Sequence, residues 1–446
     1  MKRRLLILLS CLLAVVGPAV DAARPQAAAR APNRVDSDIA AFYASRGGRP
    51  LWVAGGRLKP EAEALLSALA FAGRNGFDPE RYRAREIRQL AEKGRGGDKI
   101  ALARAELDLS AGFVRYANDL RRGSSTLYAE PGLAPRPVAA AALLGGAAQP
   151  ASLSDYLRRS LAMNPLYETL RAAYGRGASR LAPAQRRVVE RNLERLRAIP
   201  ADPAGRWILV DAGGARLWMI EGGRVAGSMR VIVGKPGMQT PVMAARLRYA
   251  ILNPFWNMPP DLVRERAKRV LRSGPGFLSA ERLQLLSDWG PAPHVLAPSR
   301  VDWRAVAARR QYLRIRQLPG GANVMGAIKF MMPNDLGIYL HDFPDKSLFA
   351  RADRHLSSGC VRLEDAQRLA GWLFGGGAPR PRGSAAEQQV SLPRPVPVYV
   401  VYLTAFPSGN AIAFRRDVYR RDDGPTVRHF ASQDPADRSG GARRPR

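Results

Sequence analysis

The apolar residues of this chain change their period at Arg206. Upstream, from Asp36 to about Arg197, they recur at helical spacing. Leu65, Leu66, Leu69 and Ala70 follow a start signal at Pro60-Glu61, Ser37-Asp38-Ile39 opens another helix, and Val189, Leu193 and Leu196 fall at i, i+4 and i+7. Downstream, short runs rich in β-branched and aromatic residues take over, at 207–211, 217–220 and 229–233, with Glu221-Gly222-Gly223-Arg224 as a hairpin turn. Further strands are expected over 248–252, 337–341, 396–403 and 411–414. Between Asp261 and Gln317 the pattern turns helical again, with 261–271 and 279–289 as helices. That block interrupts the strands and reads as a lid insertion. The expected fold is therefore α+β: a helical N-terminal domain over 36–200, then a β-rich, β-sandwich-like domain over 205–420 carrying a helical insertion at 261–317. A length of 446 residues suits two cores better than one. Phe42, Trp52, Phe71, Phe77 and Tyr82 are expected in the helical core.

The ends bound the compartment. Lys2, Arg3 and Arg4 precede an apolar run over 5–16, Gly17-Pro18 breaks it, and Val20-Asp21-Ala22 offers a cleavage site, so 1–22 reads as a secretory signal peptide. The run is too short to span a bilayer, and its continuation past Cys11 argues against a lipidated cysteine there. A periplasmic protein that is not integral to the membrane is the expectation, with 23–35 as a linker and 421–446 as a disordered basic tail. Without the leader, 67 basic residues face 37 acidic ones. Such a field favours polyanions. Export makes nucleic acid an unsuitable partner and leaves anionic envelope polymers. Only eight residues are lysine, so an arginine-rich composition explains the excess equally well.

Leader removal also leaves Cys360 as the single cysteine, which excludes an internal disulfide. It sits in Ser357-Ser358-Gly359-Cys360-Val361-Arg362, nineteen positions after His341. A thiol needs help to ionise near neutral pH. His341 supplies a base, and Leu363-Glu364-Asp365-Ala366 reads as a helix start whose dipole would favour an anion just before it. Gly359 removes a side chain beside the sulfur, so N–H groups of Gly359 and Cys360 could face an oxyanion. Ser357 and Ser358 serve either as polar site residues or as caps of the following helix. The other histidines show no ligand spacing, so no metal and no cofactor are expected.

The spacing of His341 from Ser357-Ser358-Gly359-Cys360-Val361-Arg362 resembles the active-site signature of the L,D-transpeptidase catalytic domain. Val233-Gly234-Lys235-Pro236, Gln239-Thr240-Pro241, Asn253-Pro254-Phe255-Trp256-Asn257-Met258-Pro259-Pro260, Lys329-Phe330-Met331-Met332-Pro333-Asn334 and Val398-Tyr399-Val400-Val401-Tyr402-Leu403 are similar to segments of the larger Gram-negative periplasmic members. The region around Gly47-Gly48-Arg49-Pro50-Leu51-Trp52 resembles their scaffold domain. Two departures stand out. Many members have His where this chain has Ser358, and the peptidoglycan-binding module usual in the scaffold is missing between Arg171 and Gln185.

The resemblance implies a cysteine acyltransferase (EC 2.3.2.-) of cell-wall biogenesis and shape, a carbapenem target whose partners are peptidoglycan stem peptides. Cys360 would attack the tetrapeptide stem at diaminopimelate, release D-Ala, and pass the acyl group to a second stem as a 3→3 crosslink. His341 would be the base, Arg362 would hold a substrate carboxylate, and Tyr339, Trp256 and Asn257 would line the groove. Three alternatives stay open within the same thioester: L,D-carboxypeptidase action, D-amino-acid exchange, and hydrolysis of attached protein. A wall-binding scaffold with an inert thiol is the alternative from another class.

Overall fold

The computed structural model describes residues 34–422 except 124, 125, 150, 204 and 291; the leader, most of the linker and the chain after 422 lie outside the described residues. The helical part opens with α1 (Arg34–Ser45), a small hairpin of β1 (Val53–Ala54) and β2 (Arg57–Leu58), α2 (Pro60–Ala70), α3 (Ala84–Arg95) and α4 (Lys99–Asp119). A short strand, β3 (Leu127–Tyr128), then leads into α5 (Ala140–Ala148), α6 (Leu153–Ser160), α7 (Pro165–Gly177) and α8 (Pro183–Leu196). Pro60 begins α2 because a first-turn residue needs no N–H, and Glu61 and Glu63 meet the positive end of its dipole. At the heart of the domain, buried Glu106 on α4 accepts the hydroxyl of Tyr43 at 2.6 Å and the backbone N–H of Trp52 at 3.0 Å. Phe42, Trp52 and Tyr82 are buried there and Phe77 packs beside them. Phe71 is not: it ends α2, stands 54% exposed, and carries the Arg74 guanidinium 4.2 Å over its ring.

The β-rich part begins with β4 (Arg206–Asp211), β5 (Arg216–Glu221), β6 (Arg224–Gly234) and β7 (Met243–Leu252). Gly222 and Gly223 both take positive φ in the two-residue turn from β5 to β6, which suits the twist of an antiparallel pair. The insertion follows: β8 (Trp256–Asn257), α9 (Pro260–Ser273), α10 (Gly276–Ala280), β9 (Leu283–Leu286), β10 (Val295–Leu296), α11 (Trp303–Ala307) and β11 (Arg314–Gln317). The chain then returns through β12 (Ile328–Met331), β13 (Leu340–Asp342), β14 (His355–Ser357), β15 (Val361–Leu363), α12 (Ala366–Phe374), β16 (Gln388–Val401), β17 (Ala405–Ser408) and β18 (Ala411–Phe414).

The main sheet runs β12-β13-β15-β6-β5-β4-β16-β7, and β7 pairs back to β12, so the sandwich-like sheet closes on itself. Alternation along each strand then sets inside against outside. Ile208, Val210, Val398 and Val400 point into a core shared with Leu340, Val361 and Leu363. Trp207, Leu209, Tyr399 and Val401 point out and join the core of the helical domain, while β3 adds a parallel strand to β7.

Polar bonds finish that junction. Asn192 on α8 receives the Thr404 N–H at 2.9 Å, and buried Arg195 pairs with Asp422 at 2.9 Å. Asp422 is thus fixed, and the expected tail boundary at 421 falls inside a structured segment. Because the pair is almost dry, Arg195→Ala leaves a carboxylate unpaired and is expected to cost about 3–5 kcal/mol, read as a lower denaturant midpoint.

The insertion is not all helical. Segment 279–289 holds the end of α10 and then β9, which pairs with both β10 and β11. Leu283 and Leu285 are buried on one face of that small sheet with Ile315, the core of the insertion. A strand over 337–341 is also shorter than expected. Asn334 Oδ1 accepts the N–H groups of Leu336 at 3.0 Å and Ile338 at 3.1 Å, which makes 334–338 a turn.

Candidate active site

The register of four strands builds the site. Lys329 on β12 lies opposite His341 on β13, His341 opposite Arg362 on β15, and Arg362 opposite Ile232 on β6. Leu340, Val361 and Leu363 fill the inside, so His341 and Arg362 must face out. Tyr339 joins that face beside His341, while Cys360 sits in the turn just before β15 and packs partly against the inner core. The Val361 N–H donates to the Tyr339 carbonyl at 3.2 Å, carrying the pairing one residue further and bringing Cys360 alongside Tyr339. The Tyr339 and His341 rings are 5.8 Å apart. Tyr339, His341 and Arg362 therefore share one outer face, with Cys360 at the start of the Arg362 strand.

The turn before Cys360 is held by hydroxyls. Ser357, buried, donates to the Cys360 carbonyl at 2.6 Å and accepts the Gly359 N–H at 3.1 Å. Thr240 donates to the Gly359 carbonyl at 2.7 Å and accepts the Gly234 N–H at 2.9 Å. Gly359 has φ +116°, a conformation that side chains other than hydrogen resist. The Sγ of Cys360 lies 3.7 Å from the Gly337 carbonyl at the end of the Asn334 turn. Ser358 is half-buried in the turn. His355 anchors its start, its Nδ1 at 2.7 Å from Asp353 and its Nε2 at 3.0 Å from the Ala212 carbonyl. Ser357→Ala removes both bonds of the buried hydroxyl. It is expected to lower stability by about 1–3 kcal/mol in a thermal melt, and to slow Cys360 acylation roughly 10–100-fold through misplacement of the sulfur.

Three expectations change here. The Gly359 N–H is engaged by Ser357, so it is not an open oxyanion donor, and Gly359 serves the turn by its conformation. Helix α12 does not begin beside Cys360. Strand β15 intervenes and the helix starts at Ala366, beyond the last turn over which a dipole acts. Neither serine caps that helix either; Asp365 does, accepting the Arg368 N–H at 2.9 Å.

Arg362 takes over the electrostatic part. Its guanidinium stacks 4.3 Å over the Phe343 ring, and burial lowers its basicity while attraction to Cys360 and Tyr339 opposes that. A cation so placed favours the thiolate. Its Nε is buried with no hydrogen-bond partner. His341 is 2% exposed, with Nδ1 at 2.6 Å from the Asp342 carbonyl. A carbonyl only accepts, so Nδ1 carries the proton and Nε2 is left as the base. Burial first, then the Arg362 and Lys329 charges, push His341 down to about 3, against the bond to Asp342.

Trp256 and Asn257 are placed by a different, smaller sheet. Both belong to β8 at the root of the insertion, where Trp256 packs against the insertion core and Asn257 is exposed. Among the described contacts none joins them to Cys360 or His341. Thr240, Gly337 and Lys329 carry no role that spacing or motif announces; each takes one only through register or a turn. Among the described residues no three His, Cys, Asp or Glu side chains are grouped to hold a metal.

Known proteins agree with this architecture. The profile described as the L,D-transpeptidase catalytic domain matches residues 205–390, and that described as the Scaffold domain matches 37–173. A Haemophilus influenzae protein named provisionally as an L,D-transpeptidase is 32% identical over 237 residues, covering 52% of this chain and 47% of that protein. The chain thus matches about half the length of that curated relative. An L,D-transpeptidase from Mycobacterium smegmatis is 17% identical with a TM-score of 0.22, covering 44% of this chain and 58% of that one. An Enterococcus faecium L,D-transpeptidase is 13% identical with a TM-score of 0.21, covering 45% and 52%. Neither superposition is close enough to inform the site. Residues 205–390 thus belong to the L,D-transpeptidase catalytic-domain family, with a Scaffold domain ahead of them at 37–173.

Proposed function

We propose that the protein is a periplasmic peptidoglycan L,D-transpeptidase whose nucleophile is Cys360. The Cys360 thiol gives its proton to Nε2 of His341, and the sulfur adds to the diaminopimelate carbonyl of a tetrapeptide stem. The tetrahedral adduct collapses with cleavage of the C–N bond, and the departing D-Ala nitrogen takes the proton from His341. A thioester remains. The amine of a second stem then attacks it, His341 accepts that proton, and the thiolate leaves as a 3→3 amide forms. Asp342 holds the imidazole in the tautomer this needs, and Arg362 offsets the charge on sulfur between steps and takes a substrate carboxylate.

The observation that carries this reading is the register that sets His341 beside Arg362, with Cys360 in the turn that leads into the Arg362 strand, alongside Tyr339. The leader-like start of the sequence supports the periplasm. Purified protein incubated with disaccharide-tetrapeptides should release D-Ala and give tetra–tri dimers by mass spectrometry. Release without dimers would assign water as acceptor instead, and intact substrate would reject the reading.

A further inference from the structure

Among the described residues, Lys329 is a buried cation with no acid to balance it. It is 8% exposed, yet no ion pair joins it to any described residue, and its Nζ lies 4.7 Å from the centre of the Tyr339 ring. The neighbouring carboxylate is already committed: Asp342 takes Lys346 at 2.7 Å through one oxygen and the Ala327 N–H at 3.0 Å through the other. On the far side of His341, Arg362 has no carboxylate partner among the described residues and a buried Nε with no hydrogen-bond partner, the Cys360 sulfur being the anion it faces. The row Lys329–His341–Arg362 thus presents two cations without a carboxylate partner around one imidazole. A buried charge without a partner is costly, and proteins keep one where a ligand supplies the counter-charge.

We propose that Lys329 is a specificity residue that binds the side-chain carboxylate of the donor residue whose carbonyl Cys360 attacks, leaving Arg362 for a second acid of the same stem. The assignment rests on the transpeptidase reading of the site. Chemistry favours it: the D-Ala carboxylate leaves with the product, and among the acids that stay in the acyl-enzyme the donor residue's own side chain is the nearest to the sulfur. Lysine binds it as a point charge with three donors, so a neutral amide in its place loses the charge-assisted part of the contact. The occupied site also offsets the cations that suppress the basicity of His341, beside the larger effect of its burial. Substrate binding would then improve the base it needs.

The test compares acylation of Cys360 in the full protein by three donors: the free-acid tetrapeptide, its diaminopimelate side-chain amide, and its D-glutamate amide. Wild type should prefer the free acid over the diaminopimelate amide by about tenfold or more in kcat/KM, largely through KM. Lys329→Met should lose that factor on the free acid alone, so that the preference falls to near one, and Lys329→Arg should restore part of it. Iodoacetamide, small and neutral, should alkylate Cys360 in Lys329→Met within about twofold of wild type, as expected if folding and thiol are intact. An undiminished preference in Lys329→Met overturns the proposal. So does a wild-type penalty confined to the D-glutamate amide, or loss of alkylation, which would make Lys329 a support of the thiol. Failure of wild type to be acylated by any donor would reject the transpeptidase reading itself.

Discussion

Cys360→Ala should reduce D-Ala release and dimer formation by about 10⁴-fold or more, to the level of buffer. The size follows from covalent catalysis, since without sulfur no acyl-enzyme forms and no other described cysteine can replace it. The fold should survive. Cys360 is only partly buried and packs at the edge of the core, whose interior is filled by Val361 and Leu363, so losing one sulfur removes little packing. A thermal melt within a few degrees of wild type, with activity gone, is therefore the expected pair of results. Cys360→Ser should behave almost the same, because the hydroxyl is a far weaker nucleophile beside the same base.

His341→Gln should cost about 10²–10⁴-fold in acylation, the usual contribution of a positioned base. The pH dependence makes the prediction sharper. Since His341 lies well below the usual histidine range, at about 3, the unliganded protein should show no histidine step in thiol alkylation between pH 7 and pH 5. Stability carries the same signature. A lowered value means that the unfolded chain binds this proton first as pH falls. The contribution of His341 is therefore fully present above the ordinary value near 6.5 and is lost as pH falls toward 3. His341→Gln cannot titrate, so its stability should be flatter than wild type across that window, as read by urea midpoints from pH 7 to pH 4.

Much of this site was legible in the sequence, because a lone thiol next to glycine and a histidine upstream are uncommon residues in a demanding pattern. What stabilises the thiolate was not. Val361-Arg362-Leu363 is too short a run to announce a strand, and the acids after it imitate a helix start, which invited a dipole where the fold supplies the Arg362 guanidinium. Lys329 was hidden for a related reason. Nothing in Ile328-Lys329-Phe330 says which side faces out until β12 is paired with β13. The helices of the first domain were plain because Pro60 and the 189–193–196 stripe are long-range periodic signals, whereas Leu283-Gln284-Leu285-Leu286 fits helix and strand equally. Pairing with β10 and β11 decided it.

Intact-protein mass spectrometry after a brief incubation with disaccharide-tetrapeptide is the most direct test of the cysteine mechanism. The account predicts a mass increase equal to the disaccharide-tripeptide acyl group, mapped by digestion to Cys360 and absent in Cys360→Ala. An acyl group on another residue, or product formed at full rate by Cys360→Ala, would contradict it.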